Sequence, residues 1–438
     1  MARKALFLLL LLCSCCFFYG QEGFMIKNDR RRTKIKFDLV NNLIVVPVKL
    51  NGVELSFLLD TGVNTSLLLD LSPQDSLELL NAEKIQLRGL GGHQLIDAYR
   101  STDNVMEIGK VKNEALELYV IYDEDINFSP RLGVAVNGIL GYDFFKDFVV
   151  EINYSRKFIR VHDPGRFTKK MRGYRELPLQ FYRNKPYLLS EIDVDDRRQE
   201  VMLLLDNGLS DALWLFPQTM GLQVPEKSFK DLLGLGLLGD VTGDRGRIQS
   251  FQMGEIELNN VTASFPDSSS VRGLKMFTER NGSIGGELLR RFNIYMDYDA
   301  GRMFVKKNKN FRNPFNYNMS GIVLEHGGFV VVESYETVIK PVSSGSEGEE
   351  VFKAPVVYKK FSLQPSFRIV RLRENSPGSL VGLQVGDLLV KVNGKSAYHF
   401  SLEELTHLFS SEDGKSIKLE IEREGMTKEF EFRLKKLL

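Results

Sequence analysis

The feature that most restricts how this 438-residue chain can fold is a repeat of its own sequence. An apolar run ends in Asp60-Thr61-Gly62, and about 145 residues later a second apolar run ends in Asp206-Asn207-Gly208. Two other pairs of segments keep nearly the same spacing: Ile108-Gly109 with Met253-Gly254, and Asn137–Phe145 with Asn281–Leu289. A nearly constant spacing over three separated blocks indicates duplication of a whole domain. We therefore predict two similar lobes in one chain, at 24–165 and 172–312.

Each lobe carries an aspartate from an apolar strand onto a turn that contains glycine. Val53–Leu59 leads into Asp60, and Val201–Leu205 leads into Asp206. The β-rich character of these runs, with the Asn51-Gly52 turn before the first of them, predicts strands joined as hairpins. A carboxylate at the end of a buried strand is costly to desolvate, so a chemical role is one reason to keep it there. The alternative is that each aspartate only caps its own turn.

The segment that ends in Asp60-Thr61-Gly62 resembles the active-site strand and loop of the bacterial retropepsin-like (pepsin-type) aspartyl peptidases. The resemblance implies a mainly β fold, in which two lobes form a pseudo-dimer within a monomer and Asp60 and Asp206 are the catalytic pair. Two carboxylates that share a site cannot both ionise, so one would act as an acid while the other activates water. We therefore expect an aspartic endopeptidase whose partners are peptides or unfolded proteins.

Thr61, Gly62, Asn207 and Gly208 are expected to support the two catalytic loops. In the family, a Thr or Ser hydroxyl follows each catalytic aspartate and bonds across the seam between the lobes. Asn207 takes that place in the second lobe, and its amide differs from a hydroxyl in reach and shape. Two alternatives stay open, namely a reshaped but active peptidase and a catalytically degenerate fold that only binds peptides.

Other glycines match further features of the family. Gly141 and its copy Gly285 end an apolar-apolar-Gly segment that threads behind the catalytic loop in this fold, where glycine lets two chain segments cross closely. After Gly141, we predict a short helix over 142–148 and a pair of strands over 149–161. The stretch expected to form the flap that closes over the substrate contains Gly89, Gly91 and Gly92. An ordinary hairpin is the alternative for that stretch.

Motifs of other protein classes are present but incomplete. Gly234–Gly239 fits the pattern G-x-G-x-x-G, but the strand-turn-helix context of a nucleotide site is missing. The repeat places Gly234 opposite Gly89, so we interpret this segment as a hairpin of the second lobe. Gly208–Ala212 matches the G-x-S-x-G elbow of serine hydrolases only in part. His93 has no other ligand residue at metal-binding spacing, and we predict neither a metal nor a cofactor.

The last part of the chain, 315–438, resembles a PDZ domain. Ser376-Pro377 is expected to start a short helix, and Leu388–Val392 to form a strand that enters an Asn-Gly turn. Ser401–Phe409 predicts a second helix with apolar residues at helical spacing. Ser416–Leu434 predicts two closing strands.

A PDZ fold binds a peptide as an added strand in a groove between a strand and a helix. We expect Leu363–Val370 and the second helix to form the groove walls, and the side chains expected to face the peptide are Leu363, Phe367 and Ile369. The loop Leu363–Phe367 lacks glycine, and Pro365 has no amide donor, so free C-termini are not the expected ligand. The segment Glu333–Lys360 is interpreted as an insertion, and its acidic Ser/Gly tract, 343–350, as a flexible loop.

Residues 1–20 predict export, because a positive start precedes a short apolar core and a small residue at Gly20. Cleavage after Gly20 is one interpretation, and a lipoprotein with a lipid anchor at Cys15 is the other. All three cysteines lie in this segment, so no disulfide is expected in the mature protein. The expected location is periplasmic, cell-surface or secreted. With 58 basic and 57 acidic residues, the chain has no charge excess for nucleic acid, and no later apolar run is long enough to span a membrane.

Overall fold

Most of the chain forms β-strands, as the alternating and continuous apolar runs predict. The structure is a computed structural model that describes residues 23–70, 76–88, 95–121, 126–236, 239–271, 277–338, 341–342, 351–352 and 356–438. It divides into two units. The first consists of Met1–Ser129, Val134–Asn316 and Leu437–Leu438, and the second of Pro130–Gly133 and Tyr317–Lys436.

The first lobe contains strands β1 to β12 and two short helices. Its strands are β1 (Met25–Ile26), β2 (Arg32–Lys36), β3 (Asp38–Val40), β4 (Leu43–Leu50), β5 (Val53–Leu59), β6 (Ser66–Leu68), β7 (Glu83–Arg88), β8 (Leu95–Ile108), β9 (Val111–Val120), β10 (Gly138–Leu140), β11 (Val149–Asn153) and β12 (Phe158–His162). The helices are α1 (Ser129–Leu132) and α2 (Tyr142–Phe145), and single 3-10 turns lie at Lys27–Asp29, Tyr154–Arg156 and Pro164–Arg166. The predicted short helix and the strand pair around Tyr154–Arg156 are confirmed, although the helix ends at Phe145.

The central sheet of the first lobe places one short strand between two others. β10 runs parallel to β5, with Leu140 beside Leu59, and antiparallel to β6, with Gly138 beside Leu68. The β4–β5 hairpin turns at Asn51-Gly52, where both residues have positive φ, the geometry that Asn-Gly sequences favour. This arrangement delivers the end of β5 and the end of β10 to the same edge of the sheet.

The second lobe repeats this arrangement. Its strands are β13 (Arg175–Pro178), β14 (Gln180–Tyr182), β15 (Lys185–Val194), β16 (Arg197–Leu205), β17 (Leu213–Leu215), β18 (Ser228–Gly236), β19 (Gly239–Met253), β20 (Ile256–Pro266), β21 (Arg280–Ile284), β22 (Phe292–Asp297) and β23 (Arg302–Lys307). The helices are α3 (Pro217–Met220), α4 (Ser268–Val271) and α5 (Gly286–Leu289). Here β21 runs parallel to β16 and antiparallel to β17, as β10 does between β5 and β6.

A third sheet joins the lobes. Its strand order is β13-β23-β22-β11-β12-β2, and the central pair β11–β22 brings one strand from each lobe together, with Ile152 beside Ile294. Both isoleucines are fully buried in a core that extends through both lobes. Burial of such side chains contributes about 1.5–3 kcal/mol each, so this sheet holds the lobes in a fixed relation.

The part of the second unit that begins at Tyr317 contains a six-stranded sheet, a separate two-stranded sheet and two helices. Its strands are β24 (Ile322–Val338), β25 (Pro341–Val342), β26 (Val351–Phe352), β27 (Val356–Leu372), β28 (Leu388–Val392), β29 (Lys395–Ser396), β30 (Ser416–Arg423) and β31 (Met426–Arg433), with helices α6 (Pro377–Leu380) and α7 (Leu402–Phe409) and a 3-10 turn at Ala397–His399. Ser376 caps α6, and Ser401 caps α7 in a capping box with Glu404. Both predicted helices and the strand at Leu388–Val392 are confirmed.

Both ends of the predicted insertion Glu333–Lys360 form strands. β24 continues to Val338 and β27 begins at Val356, so the two strands pair as one long hairpin. Val331, Phe361 and Leu363 along this hairpin are each more than 60 % exposed. Strand pairing supplies the backbone hydrogen bonds that a loop of this composition would otherwise leave to water. The acidic tract 343–350 lies outside the described residues.

Candidate active site

The two aspartates are held in equivalent places by the repeated topology. The amide of Asp60 donates to the carbonyl of Leu140 at 2.9 Å, and the amide of Asp206 donates to the carbonyl of Ile284 at 2.9 Å. Leu140 and Ile284 are the last residues of β10 and β21. Each aspartate-bearing loop is therefore fixed by the short central strand of its own lobe.

Close crossing behind each loop requires glycine at the end of that central strand. A Cβ at Gly141 would lie 2.6 Å from the carbonyl oxygen of Val63, and a Cβ at Gly285 would lie 2.2 Å from the carbonyl oxygen of Asp211. Both carbonyls belong to the chain that follows Asp60 and Asp206. Because real Cβ atoms do not approach backbone oxygens this closely, a side chain at either glycine would push the loop aside.

The loops place the two carboxyl groups against each other. Asp60 and Asp206 share a side-chain hydrogen bond, and both residues are partly buried. A Cβ at Gly208 would lie 2.3 Å from Oδ2 of Asp60, and a Cβ at Gly62 would lie 3.2 Å from Oδ1 of Asp206. Each carboxyl therefore lies against the glycine of the other loop. The amide of Gly62 also donates to Oδ1 of Asp60 at 2.6 Å.

Burial and mutual repulsion change how this pair ionises. Burial raises the pKa of Asp60 to about 7, with the charge of Asp206 as the second cause. Burial likewise raises the pKa of Asp206, but the positive charges of Arg280 and Lys185 oppose that rise. A hydrogen bond between two carboxyls requires one proton, so the site is arranged to hold a single negative charge.

Thr61 and Asn207 meet at the seam between the lobes, where both are about 1 % exposed. The Thr61 hydroxyl donates to the carbonyl of Leu205 at 2.7 Å and accepts from the amide N–H of Asn207 at 3.1 Å. The Nδ2 group of Asn207 is buried and has no acceptor among the described residues. The Thr61 hydroxyl is thus fully hydrogen-bonded. Asn207 leaves a buried donor unsatisfied, at a cost of about 1–3 kcal/mol.

Two cations near the pair were not predicted from the sequence. Lys185 begins β15 and Arg280 begins β21, and both interact electrostatically with Asp206. The structural counterparts of these cations in the first lobe are Leu43 and Val136. An alignment of the two lobes would have revealed both cations, because each one stands where the first lobe has a buried apolar residue.

Tyr298 also adjoins the pair and was not predicted. Its ring stacks on Phe145 at 5.3 Å, and burial raises its pKa, with the charge of Asp60 as the next cause. The Tyr298 hydroxyl is buried and has no partner among the described residues. The expected flap residues Gly89, Gly91 and Gly92, and also His93, lie outside the described residues.

The glycine motif Gly234–Gly239 lies in a hairpin. Gly236 pairs with Gly239 across the turn between β18 and β19, and no helix follows the first strand. A dinucleotide site needs a helix N-terminus directly after the glycines. Among the residues that the structure describes, no group of three or more His, Cys, Asp or Glu side chains could hold a metal ion.

The predicted peptide groove of the second unit is wrong. β27 pairs with β24 on one edge, and at Phe367 and Arg368 it also pairs with β28 on the other edge, so no strand can be added there. Phe367 and Ile369 are fully buried, and Leu363 is 67 % exposed on the long hairpin. The strand that packs against helix α7 is β24, which places the groove between these two elements.

The loop before β24 has its amides bonded internally. The amide of Met319 donates to the carbonyl of Phe409, and the amides of Ser320 and Gly321 donate to Oδ1 of Asn318. The amide of Ile322 donates to the hydroxyl of Ser320 at 3.0 Å. A ligand carboxylate in this loop would need amides that are free to donate. Four consecutive amides of the loop are already used.

The second unit also includes the short segment Pro130–Gly133. Nε of Arg131 lies 3.3 Å from Oε2 of Glu325 on β24. A Cβ at Gly133 would lie 2.8 Å from Cβ of Leu402, the first residue of α7. A stretch from the interior of the chain therefore touches both walls of the groove.

Two parts of the chain match models of known protein families. Residues 46–144 match the family model of the aspartyl proteases, and residues 368–423 match that of the PDZ domain. The chain therefore contains a retropepsin-like aspartyl protease domain and a PDZ domain, as the sequence predicts. No curated protein matches the chain significantly. None of the helices in the described part of the chain is long and apolar enough to cross a membrane.

Proposed function

We propose that the protein is an aspartic endopeptidase whose active site is formed by Asp60 and Asp206. The observation that carries this proposal is the geometry of the two carboxyls, which are delivered by duplicated loops, lie against the glycine of the opposite loop and are hydrogen-bonded to each other. Aspartates that only capped their own turns would have no reason to meet. The charge state supported by this geometry, one proton shared by two carboxyls, is the one that acid–base hydrolysis requires.

In the proposed reaction, a water molecule attacks the carbonyl carbon of the substrate peptide bond. The ionised carboxylate accepts a proton from the water, and the protonated carboxyl donates its proton to the carbonyl oxygen, which gives a tetrahedral diol. The carbon–nitrogen bond then breaks as the newly protonated carboxyl donates to the leaving nitrogen, while the other carboxylate takes a proton back from a diol hydroxyl. The pair ends with one proton, as it began.

Purified protein incubated with unfolded polypeptides and with a peptide library tests this proposal. We expect internal cleavage that a transition-state mimic with a tetrahedral hydroxyl blocks. The competing function is peptide binding without hydrolysis, which the unsatisfied Asn207 Nδ2 favours. Peptide binding with no cleavage from acidic to neutral pH would establish that alternative.

Asn207→Thr is expected to stabilise the seam and to raise turnover. A threonine hydroxyl would match Thr61 and would remove the buried Nδ2 donor, so we expect a gain of about 1 kcal/mol and a Tm higher by about 2–4 °C. Thermal unfolding and peptide cleavage measure the two effects. Asn207→Val is the matched control, since it has the same shape as threonine without the hydroxyl. Equal gains from threonine and valine, or lower turnover with threonine, would contradict the explanation.

We further propose that the PDZ domain binds internal or unfolded segments of substrates in the groove between β24 and α7. The bonded amides of Met319–Ile322 support this, because the four backbone donors that would receive a free C-terminus are already used. The segment Pro130–Gly133 supports it as well, because it reaches both walls without presenting a chain end.

Removing the residues after Asn316 is expected to separate two kinds of substrate. Cleavage of short peptides should be kept, while cleavage of long unfolded chains should become about 10-fold slower, because the second binding site is lost. The cut follows Asn316 because the buried Arg291 donates to the carbonyl of Pro314 and lies 3.6 Å over the ring of Phe315. Equal losses for both substrates would show that the PDZ domain is only structural.

We propose that the protein acts outside the cytoplasm, on the strength of the leader-like residues 1–20, which lie outside the described residues. Mass spectrometry of the N-terminus in the producing cell distinguishes the two forms. A chain that begins at Gln21 supports cleavage, and a lipid-modified Cys15 supports an anchor.

A further inference from the structure

The two halves of the active site differ in charge although they share a fold. In the second lobe, Tyr187 pairs with Leu204, and this register places Lys185 beside Asp206. In the first lobe, Val45 pairs with Leu58, and the same register places Leu43 beside Asp60. The first lobe therefore has a buried aliphatic side chain where the second lobe has an ammonium group.

A second exchange of the same kind lies on the central strands. β21 pairs with β16 through Leu205 and Ile284, and β10 pairs with β5 through Leu59 and Leu140. Just before these pairs, Oδ1 of Asn281 accepts from the amide of Met202 as Oδ1 of Asn137 accepts from the amide of Ser56. Arg280 precedes Asn281 as Val136, a fully buried residue, precedes Asn137.

The described groups that contact Arg280 and Lys185 do not neutralise their charges, so both charges act on the pair of aspartates. Nε of Arg280 donates to the carbonyl of Gly282 at 3.1 Å, and Nη2 donates to the hydroxyl of Ser283 at 2.6 Å. Neither partner is charged, and within the described residues neither Arg280 nor Lys185 forms an ion pair with a carboxylate. A buried charge without a contact ion pair interacts over longer distances, because little water screens it.

We propose that Lys185 and Arg280 are positioning residues that hold the negative charge on Asp206 and the proton on Asp60. Asp206 is then the base that accepts the proton from water, and Asp60 is the acid that donates to the substrate carbonyl. This assignment of roles rests on the peptidase function proposed above. The assignment of charge does not, since it follows from the placement of the cations.

The titratable and charged groups that face the pair come from several elements: Lys185 and Tyr187 from β15, Arg280 from β21, Tyr298 after β22, and the two aspartates themselves. Burial raises the pKa of both tyrosines, so they stay neutral over the working range. Among the residues that the structure describes, the positive charges that act on the pair are those of Lys185 and Arg280. A cation near a carboxyl lowers its pKa, so removal of either cation must raise the pKa of its aspartate.

The two cations differ in the aspartates on which they act, so replacing each one is expected to change the pH profile in a different way. After burial, Arg280 is the largest influence on Asp206, whereas Lys185 acts on Asp206 and also on Asp60. In a bell-shaped pH profile, the acid limb reports the carboxyl that ionises first, and the alkaline limb reports the second. Arg280→Met is expected to move the acid limb to higher pH by about one unit. Lys185→Met is expected to move both limbs to higher pH.

The test measures cleavage of one peptide against pH for the full chain and its variants. Lys110→Met serves as the matched control, because it removes an exposed lysine from the turn between β8 and β9. Arg280→Lys keeps the charge and is expected to restore the acid limb. Leu43→Lys places a cation on the Asp60 side and is expected to move the alkaline limb to lower pH. The proposal would be overturned if neither limb of the pH profile moved in Arg280→Met and Lys185→Met. It would also be overturned if their shifts equalled that of Lys110→Met.

If no cleavage is found, a second measurement tests which aspartate carries the negative charge. The carboxyl carbons of ¹³C-labelled aspartates titrate visibly by NMR, and the signals of Asp60 and Asp206 are assigned from those missing in Asp60→Asn and Asp206→Asn. We expect Asp206 to ionise at lower pH than Asp60, and Arg280→Met to narrow the difference between their two pKa values. An inactive protein with this titration refutes the peptidase function alone. Ionisation in the opposite order refutes the charge assignment.

Discussion

Asp60→Asn and Asp206→Asn are each expected to lower peptide hydrolysis by about 10³-fold or more. Each replacement removes one of the two groups that exchange protons with water and substrate, and a general acid or base contributes about 10²–10⁴-fold. Because the two roles depend on each other, the double variant should be no worse than either single variant. Cleavage of a fluorogenic peptide, with peptide binding measured in parallel, gives the result. Binding should persist, because an amide has nearly the shape of a carboxyl.

Mixing the two single variants tests whether one chain supplies the whole site. Both loops lie in one compact unit, joined by the β11–β22 pair, so we expect the mixture to stay inactive. If two chains exchanged lobes to build the site, a quarter or more of the activity would return on mixing. Recovery of this kind would overturn the monomeric arrangement while leaving the aspartates in place.

Gly285→Ala is expected to have the second large effect. The added Cβ would lie 2.2 Å from the carbonyl oxygen of Asp211 and 2.7 Å from that of Leu209, and neither backbone atom can move without shifting the loop that carries Asp206. Overpacking of this kind costs about 3 kcal/mol, which corresponds to a Tm lower by about 6 °C or more. Hydrolysis should fall by at least about 10²-fold, because displacement of a catalytic group by 1 Å has that effect.

Gly234→Ala is the control for stability in the same lobe. Its Cβ would meet Trp214 at 3.7 Å, an ordinary contact, so the Tm should change little. Thermal unfolding of both variants therefore separates the effect of the close crossing from the general effect of replacing a strand glycine. A Tm for Gly285→Ala equal to that of Gly234→Ala would show that the crossing is not tight in solution.

The sequence determined the duplicated architecture and the two aspartates. Short-range patterns sufficed for this. An apolar strand that ends in Asp-x-Gly and an apolar-apolar-Gly strand can each be recognised from a few neighbouring residues, and the repeat showed which segments of the two lobes correspond. The pairings Leu59–Leu140 and Leu205–Ile284 then follow from the fold that such strands form.

The PDZ groove shows where local patterns failed. The segment before the Ser376-Pro377 helix has the right composition for a binding strand, but β24 covers one edge of it and β28 the other. Which strand is left beside helix α7 depends on the order of strands in the sheet. That order comes from pairing across long sequence separations, which alternation of apolar residues cannot reveal.

The charge asymmetry of the active site was decided only by the tertiary structure. A lysine at the start of a strand and an arginine after a turn are unremarkable in a sequence, since most such residues face water. The folded chain buries Arg280 and brings both cations to Asp206, while Leu43 and Val136 occupy the matching places in the other lobe. The sequence alone determined which two carboxyls meet, because their loops are coded locally. The unequal surroundings of these two carboxyls arise from packing between strands that are distant in the sequence. That packing sets how much water is excluded, and therefore how strongly the cations interact with the carboxyls.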